Sequence, residues 1–230
     1  MLKDSRQAQK RQKPAFLTNN ERMDYHMNKN AETIKNALQT YKTKRDAADA
    51  RIKQIRELYG EEAAQHEAER QNKTMKAART EAESTIRAAT GEGRRAAEAW
   101  GRMDGSKLTD DVKLLDAGLV DVATFNELKG RYADNHTMLS ALRKYADKQN
   151  AAAMKEAHEK GDLPLSEPFE TRDIPTPADK VQKWDKVQAR AFDMMDAMDG
   201  TGKYSNPHDW GASFVKAAMP QELEHFGEDL

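Results

Sequence analysis

The sequence predicts an all-α protein: extended, with a long N-terminal coiled-coil-like helix, a small helical bundle and a C-terminal helical hook. The first hundred residues are rich in strong helix formers, and apolar residues recur at helical spacing along most of the chain. Only 37% of the 230 residues are hydrophobic and 33% are charged, against about 45–50% and about 25% in a typical globular domain. This shortage of apolar residues favours several small helical parts over one large core.

The segment 20–105 is predicted to form long charged helices with a coiled-coil seam. The segment contains no proline. Apolar residues repeat in heptads over its first half, a spacing typical of a seam that another helix must bury. We expect a rod of up to ~100 Å at 1.5 Å per residue, with a bend at Gly60 and an end at Gly91–Gly93. The seam residues expected to bind a partner are Met27, Ile34, Leu38, Tyr41, Ile52, Ile55 and Tyr59.

Residues 106–160 are predicted to form a small bundle of short helices. Thr109, Asp121 and Asp134 or Asn135 stand where helix N-caps belong, and Gly118 stands where a helix-ending glycine belongs. The segment also carries most of the large apolar residues of the middle of the chain, which are Val112, Leu114, Leu115, Phe125, Leu128, Tyr132, Met138, Leu139, Leu142 and Tyr145. Six or seven of these large apolar residues are expected to pack as the core of the bundle.

A proline-rich linker, residues 161–177, separates this bundle from the C-terminal hook with its acidic tail, residues 178–230. Prolines favour an extended path through the linker, and Thr176 followed by Pro177 is typical of a helix start. Two short helices cannot bury all the apolar residues of the hook on their own. The hook residues expected to dock on a partner are Trp184, Val187, Met194, Met195, Trp210 and Phe214, with both tryptophans in one contact.

The first segment, residues 1–19, is a basic arm. Five basic residues stand against one acidic residue, Asp4, in its first thirteen positions, a balance of +4; they are Lys3, Arg6, Lys10, Arg11 and Lys13. Such an arm can contact nucleic acid or an acidic protein partner. The mixed charge of the long helix and a pI of about 6.6 favour a protein partner, because nucleic-acid binding usually needs a basic stripe.

No segment carries a recognisable catalytic, cofactor or metal signature. The chain lacks cysteine, which excludes disulfides and thiolate sites. Asp199–Tyr204 resembles the middle of an EF-hand loop, but Ala197 and His208 occupy the first and twelfth ligand positions. Gly91-Glu92-Gly93 lacks the Lys-Ser/Thr of a phosphate-binding loop. We therefore expect no enzyme and no small-molecule ligand, and, without an apolar run near ~20 residues, no membrane span.

One stretch resembles a known class of proteins. Leu114–Val120, Phe125–Leu128 and Asp134–Leu139 are similar to a segment of small proteins encoded among the head-assembly genes of tailed bacteriophages, over about 40 of 230 residues. The layout, with a long charged helix and a short hooked terminus, also resembles phage scaffolding and minor virion proteins. The acidic C-terminus departs from the basic capsid-binding helix in which scaffolding proteins commonly end.

This resemblance implies a non-enzymatic structural protein of a phage particle: a minor capsid, internal virion or scaffolding protein. It would bind capsid or portal subunits, self-associate, and reside in the virion or the host cytoplasm. The alternatives are a cellular coiled-coil adaptor and a nucleic-acid-associated protein that uses the basic arm.

Overall fold

A computed structural model describes residues 19–161, 163, 167–201, 223 and 226, with side chains from residue 28 onward. Over these residues the chain is helical and contains no strand, which confirms the all-α fold class. The helices are α1 (Asn19–Tyr59), α2 (Glu61–Trp100), α3 (Val112–Asp116), α4 (Val122–Arg131), α5 (His136–Lys160) and α6 (Pro177–Asp199), with a 3₁₀ turn at Gly105–Lys107.

The chain divides into two compact units. Unit 1 comprises Met1–Ala96 and Gln182–Leu230, and unit 2 comprises Ala97–Val181. The sequence had suggested instead that residues 178–230 form a separate hook. The difference arises because most of α6 packs with α1 and α2, through contacts between residues more than ninety positions apart that no local pattern reveals.

Gly60 turns α1 back into α2. Its φ of +87° lies in the left-handed region that only glycine adopts without cost. Ion pairs join Lys44 to Glu81 at 3.0 Å and Arg51 to Glu67 at 3.9 Å, so later residues of α1 pair with earlier residues of α2. The two helices therefore form an antiparallel hairpin. The predicted bend at Gly60 is confirmed, and the expected ~100 Å rod is wrong because the chain folds back there.

A glycine in α2 receives the largest side chain of α6. Helix α2 continues through Gly91 and Gly93 to Trp100, so the prediction that it ends at these glycines is wrong. A Cβ atom placed on Gly93 would lie 2.1 Å from Cε2 of Trp184, and the Trp184 side chain is fully buried. Glycine costs about 0.5–1 kcal/mol inside a helix, which the burial of a whole indole ring offsets.

Polar contacts extend this packing along the two helices. The Thr90 hydroxyl donates to Oε1 of Gln188 at 2.9 Å, and Arg94 pairs with Asp185 at 2.6 Å. Later residues of α2 thus contact earlier residues of α6, so these helices are antiparallel. Unit 1 is a bundle of α1, α2 and α6, and it also contains the buried Leu223 and Phe226.

Unit 2 is a small helical bundle, and six of the ten candidate core residues lie in its buried cluster. Its buried cluster contains Leu115, Val120, Phe125, Leu128, Leu139, Leu142, Tyr145, Ala146 and Ile174. The predicted caps Asp121 and Asn135 accept hydrogen bonds from the N–H groups of Thr124 and Met138. Gly118, with φ +70°, ends α3 as predicted.

Two predicted details of unit 2 are wrong. Thr109 does not cap α3, which begins after Asp111; its hydroxyl instead lies 2.8 Å from the Tyr132 hydroxyl. Leu114 is exposed rather than buried. Its carbonyl accepts the N–H of Leu119 at 3.1 Å, which closes the C-terminus of α3 in a Schellman motif.

The proline-rich segment is not helical between residues 167 and 176, as predicted, yet it is packed onto unit 2 rather than free. The Asn150 side chain exchanges two hydrogen bonds of 2.9 Å with the backbone of Phe169. The Phe169 ring meets the rings of Phe125 and Tyr145 edge-on. The predicted cap at Thr176 is confirmed, since its hydroxyl accepts from the Asp179 N–H at 3.1 Å.

The two helical glycines of α2 provide a matched test of the Trp184 contact. Gly93→Ala should lower the free energy of unfolding by about 1–3 kcal/mol, because the added methyl group overpacks against the indole ring. Gly91→Ala should raise it by about 0.5–1 kcal/mol, since a Cβ there meets only the Arg95 guanidinium, at 3.9 Å. Urea unfolding of both variants measures the difference. Equal effects of the two substitutions would contradict the contact.

Candidate interaction surface

Six of the ten described apolar residues that were predicted to bind a partner are buried by the chain itself. In α1 these are Ile34, Leu38 and Tyr41, and in α6 they are Trp184, Met194 and Met195; Val187 is half-buried. Their assignment as partner-binding residues is therefore corrected: their spacing did indicate burial, but the helices that provide it belong to the same chain. The side chain of Met27 and the whole of Trp210, Phe214, Lys3, Arg6, Lys10, Arg11 and Lys13 lie outside the described residues.

At the end of the hairpin near Gly60, the apolar residues of α1 are not fully buried. Ile52 and Ile55 are half-buried, and Leu58 and Tyr59 are 63% and 71% exposed. These four residues, which we call the hairpin tip, occupy the last two turns of α1 before Gly60. Leu58 is absent from the predicted seam because it falls outside the heptad spacing, although it lies one helical turn from Ile55.

Charges of both signs surround the hairpin tip. Three basic residues, Arg51, Lys53 and Arg56, stand against three acidic ones, Glu57, Glu61 and Glu62. Arg56 pairs with Glu61 across Gly60 at 2.8 Å. An exposed apolar patch with a polar, electrically balanced rim is typical of a protein-binding surface.

Three helices of unit 1 meet at Asp199, the last residue of α6. Its carboxylate accepts from the Tyr41 hydroxyl at 2.6 and 2.7 Å and from Nη1 of Arg79 at 2.6 Å. The other terminal nitrogen of Arg79 donates to Asp196 at 2.6 Å. Asp199 was singled out in the sequence as part of an EF-hand-like loop. In the structure its carboxylate instead joins α6 to α1 and α2.

The pKa values of Tyr41 and Arg79 in this cluster are shifted by their surroundings. Burial, the hydrogen bond to Asp199 and the charge of Asp199 all raise the pKa of the Tyr41 hydroxyl, which therefore stays protonated. Burial lowers the pKa of Arg79, but hydrogen bonds to Asp196, Glu83 and Asp199 outweigh it and raise the pKa above its usual value. Such shifts occur in structural ion-pair networks as well as in reactive sites, and here every shifted group is bonded to another helix.

In unit 2, His136 joins the end of α2 to the start of α5. Its ring packs against Trp100 with centroids 3.9 Å apart and planes tilted by 40°, and its Nε2 lies 3.2 Å from the Gly101 carbonyl oxygen and 3.1 Å from the Ser140 hydroxyl. Its Nδ1 is buried without a hydrogen-bond partner. Burial lowers the pKa of His136; the Gly101 carbonyl opposes this shift and the positive charge of Lys180 adds to it.

Two other kinds of site are absent from the described residues. No group of three or more His, Asp or Glu side chains in that part of the chain could hold a metal ion. None of the described helices is long and apolar enough to cross a membrane.

Comparison with family models, with curated proteins and with solved structures finds no match to this chain.

The buried histidine predicts a pH dependence of stability. Because its pKa is lower in the folded chain, the unfolded chain binds more protons as the pH falls below about 6.5, the ordinary value for histidine. The free energy of unfolding of unit 2 should therefore decrease between pH 7 and pH 5. His136→Gln should reduce this decrease, as measured by urea unfolding at both pH values. His66→Gln, at an exposed position of α2, is the control; an equal pH dependence in wild type and His136→Gln would contradict the assignment.

Proposed function

We propose that this chain is a non-enzymatic assembly protein of a tailed-phage particle, and that it binds a capsid or portal subunit through the hairpin tip. It acts as a minor capsid, internal virion or scaffolding protein in the virion or the host cytoplasm. The observation that carries the proposal is the exposure of Leu58 and Tyr59 beside the half-buried Ile52 and Ile55. The phage context comes from the sequence resemblance alone.

The shape of the tip supports a protein partner. Apolar side chains at the end of a long hairpin project beyond the buried core, whose last buried residues near this end are Ala48 in α1 and Ala64 in α2. A tyrosine and a leucine at the centre of such a patch can enter a pocket of a partner, and tyrosine is enriched among residues that dominate binding energy.

The polar clusters favour binding over catalysis. Tyr41 and Arg79 have strongly shifted pKa values, yet both are engaged with Asp199. His136 is covered by Trp100 and faces the Gly101 backbone. A reactive group must instead reach a substrate with a free hydrogen-bonding atom. The engagement of Tyr41 and Arg79 with Asp199 therefore supports a binding role in this proposal.

Charged substitutions at the tip test this function. The double variant Leu58→Asp/Tyr59→Asp should reduce incorporation into particles by about tenfold or more, because two desolvated anchors are lost. Its melting temperature should stay near that of the wild type, since both side chains are exposed. Tagged chains produced during infection and quantified by mass spectrometry of purified particles provide the measurement.

The control is Leu163→Asp, which places one negative charge at a leucine that is 85% exposed elsewhere in the chain. Incorporation of the control should equal that of the wild type. If the tip variant enters particles as efficiently as the control, the tip is not the docking surface. If the wild type is absent from particles, the phage assignment is wrong.

A further inference from the structure

A second surface of unit 1 lies along the hairpin, away from the tip. Seven positions of α1 and seven of α2 repeat with the same spacing of 3, 1, 3, 3, 1 and 3 residues. Those of α1 are Thr33, Asn36, Ala37, Thr40, Thr43, Lys44 and Ala47, and those of α2 are Thr74, Ala77, Ala78, Glu81, Ser84, Thr85 and Ala88. We call these fourteen residues the hairpin face.

The hairpin face differs in composition from the rest of the chain. A third of all residues are charged, but each half of the face has one charge among seven residues, Lys44 in α1 and Glu81 in α2. The two side chains pair at 3.0 Å and remain accessible to water. The other twelve residues are Ala, Thr, Ser or Asn, and most are exposed. A solvated helical surface does not need to avoid charge in this way.

Four of the six hydroxyl groups of the face already have hydrogen-bond partners within their own helix. Thr33, Thr43 and Thr85 each donate their hydroxyl to the carbonyl of the fourth residue before, at 2.9, 2.9 and 3.0 Å, and Thr74 does so at 3.4 Å. These hydroxyls already have partners within their own helix, so covering them leaves no donor unsatisfied. Between the two halves lies a cavity of about 330 Å³, lined by Ala37, Tyr41, Ala78 and Ala82 among others.

We propose that the hairpin face binds a second copy of this chain about a two-fold axis. The argument is charge complementarity: the face carries one positive charge on one helix and one negative charge on the other. An axis parallel to the hairpin lays α1 of one copy over α2 of the other, so Lys44 of each copy faces Glu81 of the other. Small residues on both sides let the helices approach closely, and no like charges meet.

The size of the face sets the strength of this association. Fifteen residues of helix span about 21 Å at 1.5 Å per residue, and two helices spaced 8–10 Å apart make a strip roughly 20 Å wide. The face therefore covers about 400 Å² per copy, half of the about 800 Å² per partner of a stable interface. The dimer is weak and forms at high local concentration, as on an assembling particle.

Charge exchange tests the proposal with the full chain. Wild-type protein should dimerise reversibly below about 1 mM in sedimentation equilibrium, a range that corresponds to a weak interface. K44E and E81K each place like charges across the axis and should weaken homodimerisation about tenfold. An equimolar mixture of K44E and E81K should associate again, because every facing pair then has opposite signs.

The control is K76E, the same reversal at an exposed lysine of α2 outside the face, which should dimerise like the wild type. Each variant also lacks the Lys44–Glu81 pair within its own copy. Restored association in the mixture would therefore show that the contact lies between copies. A wild type that stays monomeric at about 1 mM, single variants that dimerise normally, or a mixture that stays monomeric would each overturn the proposal.

Discussion

The packing of α6 on the α1–α2 hairpin is the contact on which unit 1 depends. A hairpin of two highly charged helices has too narrow an apolar seam to exclude water alone, since most helical stability in proteins comes from tertiary packing. Trp184 fills the space that Gly93 leaves, and fifteen residues later Asp199 binds Tyr41 and Arg79. These two contacts fix α6 at two points about 22 Å apart, at 1.5 Å per residue.

The two contacts contribute in different ways. Burial of the indole ring provides most of the stabilisation, because removing a buried tryptophan side chain typically costs about 3–5 kcal/mol. The Asp199 cluster adds less net free energy, since desolvation of its charges opposes their attraction. Its value lies in specificity: a one-residue shift of α6 would separate the Asp199 carboxylate, 12% exposed, from both of its partners. The apolar contact therefore holds the helix, and the polar cluster selects its register.

Local features of the sequence predicted local features of the structure. The caps at Asp121, Asn135 and Thr176 and the turn at Gly60 follow from the backbone needs of single residues. Pairings between distant helices could not be predicted in the same way. The heptads of α1 indicate that Ile34 and Leu38 are buried, but a stripe on one helix does not identify the helix that covers it. The sequence predicts a helix end at Gly93 because the cost of glycine in a helix is local, whereas its benefit comes from Trp184, ninety-one positions later.

The sequence predicts only part of the hairpin tip, because a stripe on one helix does not identify the helix that covers it. Periodicity predicts Ile52, Ile55 and Tyr59, and only the fold shows that they, unlike Leu38, are not fully buried: Ile52 and Ile55 are half-buried and Tyr59 is exposed. The sequence does not predict the hairpin face, because alanine and threonine give no hydrophobic signal. Its regularity becomes visible only when Gly60 brings the two helices together.

Hydrogen exchange of the full-length double variant Trp184→Ala/Asp199→Ala tests most directly whether α6 holds unit 1 together. Loss of both contacts should remove protection from amides of residues 30–48 in α1 and 64–90 in α2, while residues 125–146 of unit 2 keep theirs. Faster exchange confined to α6, with α1 and α2 still protected, would show that the hairpin folds without it and would contradict this account.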